Sequence, residues 1–527
     1  MTREPAPLKG LMGGQALTVH AIFDRMRTVH ADGEVVDATG RTTYGELAQR
    51  ILRTVTVLRD LGVSPGDRVA TFANNSADHL VLYYAVPLAG AVLHMVNIRL
   101  YPEQIDYVVD HAGDILLIAD DDLLDQVGTL VERAPALQRV LTMTELSLLA
   151  GSARPAEALT AVDEDDPCGI CYTSGTTGMP KGVVYTHRAT YLHAMAACMV
   201  DHLGISQRER ILPVVPLFHA CGWGLPYAAP FTGAELVFAG ADTSPANLAR
   251  IIESERVTWA AGVPTIWTQL LPLVEAGAFD FSSLRTLGVG GAATPRPLME
   301  AYDRAGIEIL QIWGMTETTP LACTSRPRRR HAGLDADALR DVRLRTGTIF
   351  AGLEARITSE DGAVLPWDGV TVGELECRGP WVATAYYDDP ALGEKFRDGW
   401  LRTGDMAVME PDGYFRIVDR SKDLVKSGGE WISSLELEAA IMAHPQVREA
   451  AVVAVRSRRW DERPVAVVVP VNGTAPSLEE LRDFLTGRVA KWWLPDQVVV
   501  LDEVPKTSVG KFDKKAIRDQ LSYLELP

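Results

Sequence analysis

The stretch that most constrains this chain runs Cys171-Tyr-Thr-Ser-Gly-Thr-Thr-Gly-Met-Pro-Lys-Gly182. Ile170, Cys171 and Tyr172 read as the end of a short apolar strand. Thr173, Ser174, Gly175, Thr176, Thr177 and Gly178 follow, a run of hydroxyls and glycines with almost no side-chain bulk. Such a loop lets backbone N–H groups and hydroxyls approach a polyanion closely, because glycine lacks the Cβ that would stand in the way. Lys181 adds a positive charge and Pro180 stiffens the loop. Ser, Thr and Gly also gather in plain surface turns, but an unbroken run of them ahead of Met-Pro-Lys-Gly exceeds what a turn requires. The G-x-x-x-x-G-K-[ST] spacing of a Walker loop is absent, so phosphate must be cradled by a different scheme.

The surroundings of this loop read as layered α/β structure. From Leu17 to about Asp163, segments of helical spacing (Tyr44 to Leu52) alternate with buried strands (Arg68 to Ala73), and Gly62, Gly66, Gly90 and Gly113 punctuate the turns. His187 to Val200 reads as a helix. A chain of 527 residues is long enough for more than one domain and a large core. A net charge of −18 argues against nucleic acid as a partner. The longest apolar run, Leu80 to Val96, is broken by Pro87, Gly90 and His94; it is short of the ~20 residues of a transmembrane segment and reads as a buried helix and strand. The first ten residues carry no apolar signal core. Cys168 and Cys171 form a C-x-x-C with no second pair for zinc, so they are expected to be small buried residues in a protein of the reducing cytoplasm.

The loop resembles the phosphate loop of the adenylate-forming superfamily: acyl-CoA synthetases, luciferases and the adenylation domains of peptide synthetases. That family's later motifs follow in order. Leu287-Gly-Val-Gly-Gly291 reads as a strand entering a tight turn, and the resemblance makes Gly291 and its neighbours the floor of an adenine site. In Gln311-Ile-Trp313-Gly-Met-Thr316-Glu317, Trp313 replaces the family's usual Tyr but keeps an aromatic plane for stacking on adenine. Thr316 can donate to an α-phosphate oxygen, and Glu317 is a hard oxygen ligand suited to Mg²⁺; Thr173 is the second candidate beside that metal. Asp405, after a Thr-Gly turn, can accept the ribose hydroxyls, with Arg420 in support. Lys422 resembles a hinge, Lys426 and Trp431 nucleotide contacts of long-chain members, and Gly428-Gly429 the loop that faces the pantetheine of CoA. Ser433 to Glu436 reads as a capping box opening a helix to His444. Ala450 to Val455 and Val465 to Pro470 read as strands, and Ser477 to Ala490 as a helix. Lys511 matches the family's catalytic lysine.

The resemblance covers essentially the whole chain. It implies a large multi-layer α/β domain over residues 1–420 and a small mobile α+β domain over 421–527. In the apolar run Ile211 to Pro226, His219 and Trp223 are implied to line the acyl pocket, Trp223 as a gate to a fatty-acyl tunnel. No carboxylate lies between Phe218 and Leu225 to hold an amino group. The implied reaction is ATP-dependent activation of a medium- to long-chain fatty acid as an acyl-adenylate, then transfer to CoA with release of AMP. A short, branched, sulfur-containing or aryl acid, or a free carrier protein in place of CoA, remains the alternative. The basic cluster Arg326 to Arg330 reads as a solvated loop, with contact to CoA phosphates as its other reading. The oligomeric state stays open at this point; similar bacterial enzymes are often dimers, which makes a homodimer one reading.

Overall fold

The computed structural model describes residues 13–173, 179–427, 430–506 and 512–526. Among these, three sheets organise the chain. The first has six strands, in the order Arg139–Thr142, Asp114–Ala119, Arg68–Phe72, Val92–Met95, Pro167–Tyr172 and Gly182–Thr186. All neighbours run parallel except the last pair, an antiparallel hairpin. Ala77–Leu88 is buried at every one of its residues except Asp78, so this helix is apolar nearly all round, as expected of an element enclosed by layers. Tyr44–Asp60 starts at a true capping box, Thr43 with Glu46.

The second sheet has fourteen strands and changes character along its length. Glu34–Asp37, Glu235–Val237, Arg210–Pro213, Trp259–Gly262, Thr286–Val289 and Glu308–Gly314 pair in parallel. From Glu308–Gly314 onward the pairing is antiparallel, through Leu321–Thr324, Gly347–Ile349, Tyr414–Arg420 and Trp400–Met409. Ligands of open α/β sheets collect outside the carboxyl ends of strands where the topology switches. Gly314 ends the switching strand, and a Cβ there would lie 1.9 Å from the Pro320 carbonyl oxygen. Only glycine lets the chain turn so tightly at this point.

The third sheet lies wholly after Arg420. Val425–Ser427, Glu430–Ile432, Val447–Ser457, Asp461–Pro470 and Gln497–Val500 build it. Alternate residues of its central strands face opposite cores. Ala450 and Val452 pack with Leu437, Ile441, Leu481 and Leu485, while Ala451 and Val453 pack with Ile517 and Leu521. Among the described residues no helix is long and apolar enough to cross a membrane.

Several elements differ from the sequence reading. Gly182–Thr186 is a strand where only a loop was expected to lead into a helix. The helices end early, at Cys198, Met442 and Leu485, the last just ahead of Gly487 with φ +78°. The box at Ser433 is half made. Its hydroxyl accepts the Glu436 N–H at 3.1 Å, but the Glu436 carboxylate is drawn to Arg416 of the large sheet. The arginine cluster is exposed from Pro327 to Arg330, as expected of a solvated loop, but it is also tied down: Arg326 donates to the His202 carbonyl at 2.8 Å and Arg328 to the Asp412 carbonyl at 2.7 Å, and Arg330 pairs with Asp412. Cys168 and Cys171 are buried free thiols, as expected.

Candidate active site

The hairpin Pro167–Tyr172 and Gly182–Thr186 carries the Ser/Thr/Gly loop at its tip. Two bonds close its neck: Thr173 N–H donates to the Lys181 carbonyl at 2.9 Å, and Lys181 N–H donates to Thr173 Oγ1 at 3.1 Å. The Thr173 hydroxyl thus accepts one bond and keeps its own hydrogen to donate. Ser174, Gly175, Thr176, Thr177 and Gly178 lie outside the described residues.

The Thr316–Thr318 turn follows the switching strand, and all three residues are buried. The Tyr185 hydroxyl donates to the Thr316 carbonyl at 2.7 Å, which ties this turn to the loop hairpin. Ala383 N–H donates to the Glu317 carbonyl at 2.8 Å, and the Tyr386 hydroxyl donates to Glu317 Oε1. Burial, reinforced by the neighbouring Glu317 charge, holds the Tyr386 phenol well above its ordinary value. Lys181 Nζ stands 5.3 Å from the centre of the Tyr386 ring. Lys395 Nζ donates to the Arg402 carbonyl at 2.9 Å. Burial lowers the Lys395 pKa, against the pull of Glu317, Glu374 and Asp405. The sequence reading passed over both Tyr386 and Lys395. The adjacent tyrosines ahead of Asp388-Asp389-Pro390 were the available signal for the first.

Asp405 is 3% exposed and lies opposite Arg420 in antiparallel register. Its Oδ1 accepts from Arg420 Nε and its Oδ2 from the Trp313 indole N–H, both at 2.9 Å. Trp313 therefore brings a donor as well as a plane, and the ring of Phe415 meets it edge-on at 5.8 Å. Gln311 sits two residues earlier on the same strand. Its Oε1 accepts from Thr294 N–H at 3.2 Å and from the Thr294 hydroxyl, fixing the amide against the glycine turn. Gly291 is left-handed at φ +84°, so this turn requires glycine.

Ala220, Cys221, Gly222, Trp223 and Gly224 all have positive φ, a left-handed turn that the sequence reading did not foresee. Left-handed backbone costs non-glycine residues about 1–2 kcal/mol each, so packing must impose it. A Cβ on Gly224 would lie 2.4 Å from the His193 ring, and one on Gly222 would lie 2.6 Å from Leu217. His193 Nε2 accepts the Leu321 N–H at 3.2 Å, and burial lowers its pKa to about 3, so it stays neutral. The turn brings Trp223 against Gly290, where a Cβ would lie 3.0 Å from the indole. His219 begins the turn and is half-buried.

Lys422 lies in the turn between Tyr414–Arg420 and Val425–Ser427, where the second sheet hands over to the third. Lys426 Nζ stands 4.7 Å from the Trp431 ring centre, so these two residues form a pair on the small domain. A buried network spans the join. Asp419 accepts the Ser434 N–H at 2.6 Å, the Ser434 hydroxyl receives Lys514 Nζ, and Lys514 pairs with Glu438 at 2.7 Å. Gly428, Gly429 and Lys511 lie outside the described residues.

Among the described residues, no group of three or more His, Cys, Asp or Glu could hold a metal ion alone. Glu317 nevertheless fits Mg²⁺. It is a buried carboxylate on the turn that Tyr185 ties to the loop hairpin, and this ion takes one or two carboxylates and completes its shell with other oxygens and water.

The loop hairpin and the buried Thr-Glu turn that Tyr185 ties to it lie where a sheet switches direction, and a separate α+β sheet follows Arg420, which is the fold of the adenylate-forming enzymes. The chain belongs to the AMP-binding enzyme family: residues 23–387 match the AMP-binding enzyme domain and residues 436–511 the AMP-binding enzyme C-terminal domain. It is 43% identical to a long-chain-fatty-acid–CoA ligase of Thermus thermophilus, over 95% of this chain and 93% of that one. It is 39% identical to a 3-methylmercaptopropionyl-CoA ligase of Ruegeria pomeroyi, over 97% and 98%. The ATP-bound crystal structure of MatB from Rhodopseudomonas palustris superposes with a TM-score of 0.85 at 28% identity, covering 96% of this chain and 99% of that one.

Proposed function

We propose that this chain is an AMP-forming acyl-CoA synthetase that activates a medium- to long-chain fatty acid with ATP and passes the acyl group to CoA. One observation carries the reading: Thr316 and Glu317 lie buried beside the phosphate-loop hairpin, while Asp405, paired with Arg420, holds the indole of Trp313 on the strand that leads into that turn. The relatives that act on fatty and other carboxylic acids support it.

A carboxylate is a poor electrophile, and its attack on the ATP α-phosphorus brings an anion to a polyanion. Thr173, the hydroxyls of Ser174, Thr176 and Thr177, Thr316 and Lys181 donate to phosphate oxygens and offset the charge that develops. Glu317 would hold Mg²⁺ together with phosphate oxygens, and the ion would supply further charge neutralisation there. Asp405 accepts the ribose hydroxyls and Arg420 holds it in place. Gly291 and Gln311 form the adenine floor, with Trp313 against the base. Lys511 bridges the substrate carboxylate and the α-phosphate, and pyrophosphate leaves. The CoA thiol then attacks the acyl carbon and AMP departs. For that step the small domain, which we place at 421–527 after a large domain of 1–420, turns about Lys422, withdraws Lys511 and presents Gly428-Gly429. Lys426 and Trp431 contribute to nucleotide binding, and His219 and Trp223 line the acyl pocket. Arg459 stacks 4.8 Å over the exposed Trp460, next to the strand that carries Ser427, a cation–aromatic pair suited to CoA's nucleotide. The enzyme is proposed to work in the cytoplasm as a homodimer, with no nucleic-acid partner.

A second reading is a CoA ligase for a short sulfur-containing acid, favoured by the Ruegeria relative. A pyrophosphate-release screen over acids of graded chain length, with CoA or a carrier protein offered in turn, tests both. The expected maximum is at medium to long chains with CoA. A maximum on a short thioether acid would favour the second reading, and no release with any acid would reject the function.

A further inference from the structure

Residues 381–387 form a strap between two parts of the site that are distant in sequence. One end is fastened to the metal-side turn: Thr319 donates from its hydroxyl to the Trp381 carbonyl at 2.7 Å, and Ala383 N–H donates to the Glu317 carbonyl at 2.8 Å. The other end is fastened to the phosphate-loop hairpin, where Tyr387 N–H donates to the Gly182 carbonyl at 2.8 Å. Tyr386 sits between these anchors. Its hydroxyl is bonded to Glu317 Oε1, and its ring carries the Lys181 ammonium on its face. The ring is kept in place by Phe396, 5.1 Å away and edge-on.

One side chain therefore touches both Glu317 and Lys181. A buried carboxylate without a donor is driven toward nearby cations; Lys395 and Arg420 already feel the Glu317 charge, and Lys181 stands against the same ring. A direct Glu317–Lys181 pair would use up the ligand meant for a metal and the ammonium meant for a phosphate. Resting on the reading of Glu317 as the Mg²⁺ ligand, we propose that Tyr386 is a positioning residue: its hydroxyl aims the Glu317 carboxylate at the metal, and its ring keeps Lys181 apart from it. Hydrogen-bond partners of metal ligands typically account for about 10–100-fold in metal affinity.

The test is Mg²⁺-dependent ATP binding, measured by calorimetry without acid or CoA, in Tyr386→Phe, Tyr386→His and Glu317→Gln. Phenylalanine keeps the ring and removes the hydroxyl. The Mg²⁺ midpoint is expected to rise about tenfold with little change in melting temperature. Histidine, which keeps a ring N–H donor, is expected to recover part of the loss, and that recovery would keep the test decisive if phenylalanine unfolds the site. Unchanged midpoints in both Tyr386 variants, with a raised midpoint in Glu317→Gln, would overturn the role of Tyr386 alone. An unchanged midpoint in Glu317→Gln would overturn the metal reading and this proposal with it.

Discussion

Glu317 and Asp419 are both buried carboxylates, 5% and 1% exposed, yet their partners differ in kind. Glu317 is held by a phenol hydroxyl, and its backbone by an amide, all from the large domain. Asp419 ends the large sheet and reaches across the join to Ser434, which in turn receives Lys514, itself paired with Glu438. Neutral donors within one body make a wall that stays put while charge arrives. A buried ionic network between bodies depends on geometry, because desolvation offsets much of the attraction. Such a join suits a contact that is made in one domain arrangement and given up in another.

Acid should separate the two regions most strongly. Burial lowers the pKa of His79 and His187 to about 4 and of His193 to about 3, all in the large domain. Unfolding lets each take up a proton at its ordinary value of about 6.5. Stability from these groups is thus full above pH 6.5 and falls below it by about 1.4 kcal/mol per pH unit for each. Asp419 and Glu438 are shifted the other way, raised by burial, so they bind protons more readily folded and do not add to the acid loss. Circular dichroism between pH 7 and 4 should show the large domain losing structure first. Simultaneous loss would break the contrast.

Next in size is Lys511→Ala, expected to slow adenylation about 10²–10³-fold while leaving thioester formation from supplied acyl-adenylate largely intact. Equal loss in both half-reactions would place the lysine at a single fixed site. Lys514→Met strands Glu438 and should cost about 3 kcal/mol in urea unfolding. Lys181→Met, which removes only a cation over a ring, should cost about 1 kcal/mol or less. Similar costs would erase the distinction between wall and join. Smallest is Trp223→Ala, expected to change the chain-length profile of kcat/KM by about tenfold; an unchanged profile would make Trp223 a packing residue for Gly290.

Much of the site was legible because its chemistry is written in residue type and order. The hydroxyl run, the Thr316-Glu317 pair and Asp405 stand in one succession along the chain, and the strands that carry them are apolar and short. What was missed depends on partners far away in sequence. Tyr386 is bonded to Glu317, 69 residues distant. The left-handed backbone at Ala220 to Gly224 packs so closely against His193 and Leu217 that a Cβ at 222 or 224 would collide, and in the sequence only Gly222 and Gly224 hint at it. The half-made cap at Ser433 fails because Arg416, on another sheet, competes for Glu436.

The most direct measurement is a crystal structure of the enzyme with AMP or an acyl-adenylate. The expected result is the ribose on Asp405, the base against Trp313 and the glycine turn, and the α-phosphate on Thr316. A nucleotide seated away from the Thr173–Lys181 hairpin and the Thr316–Thr318 turn would contradict the account.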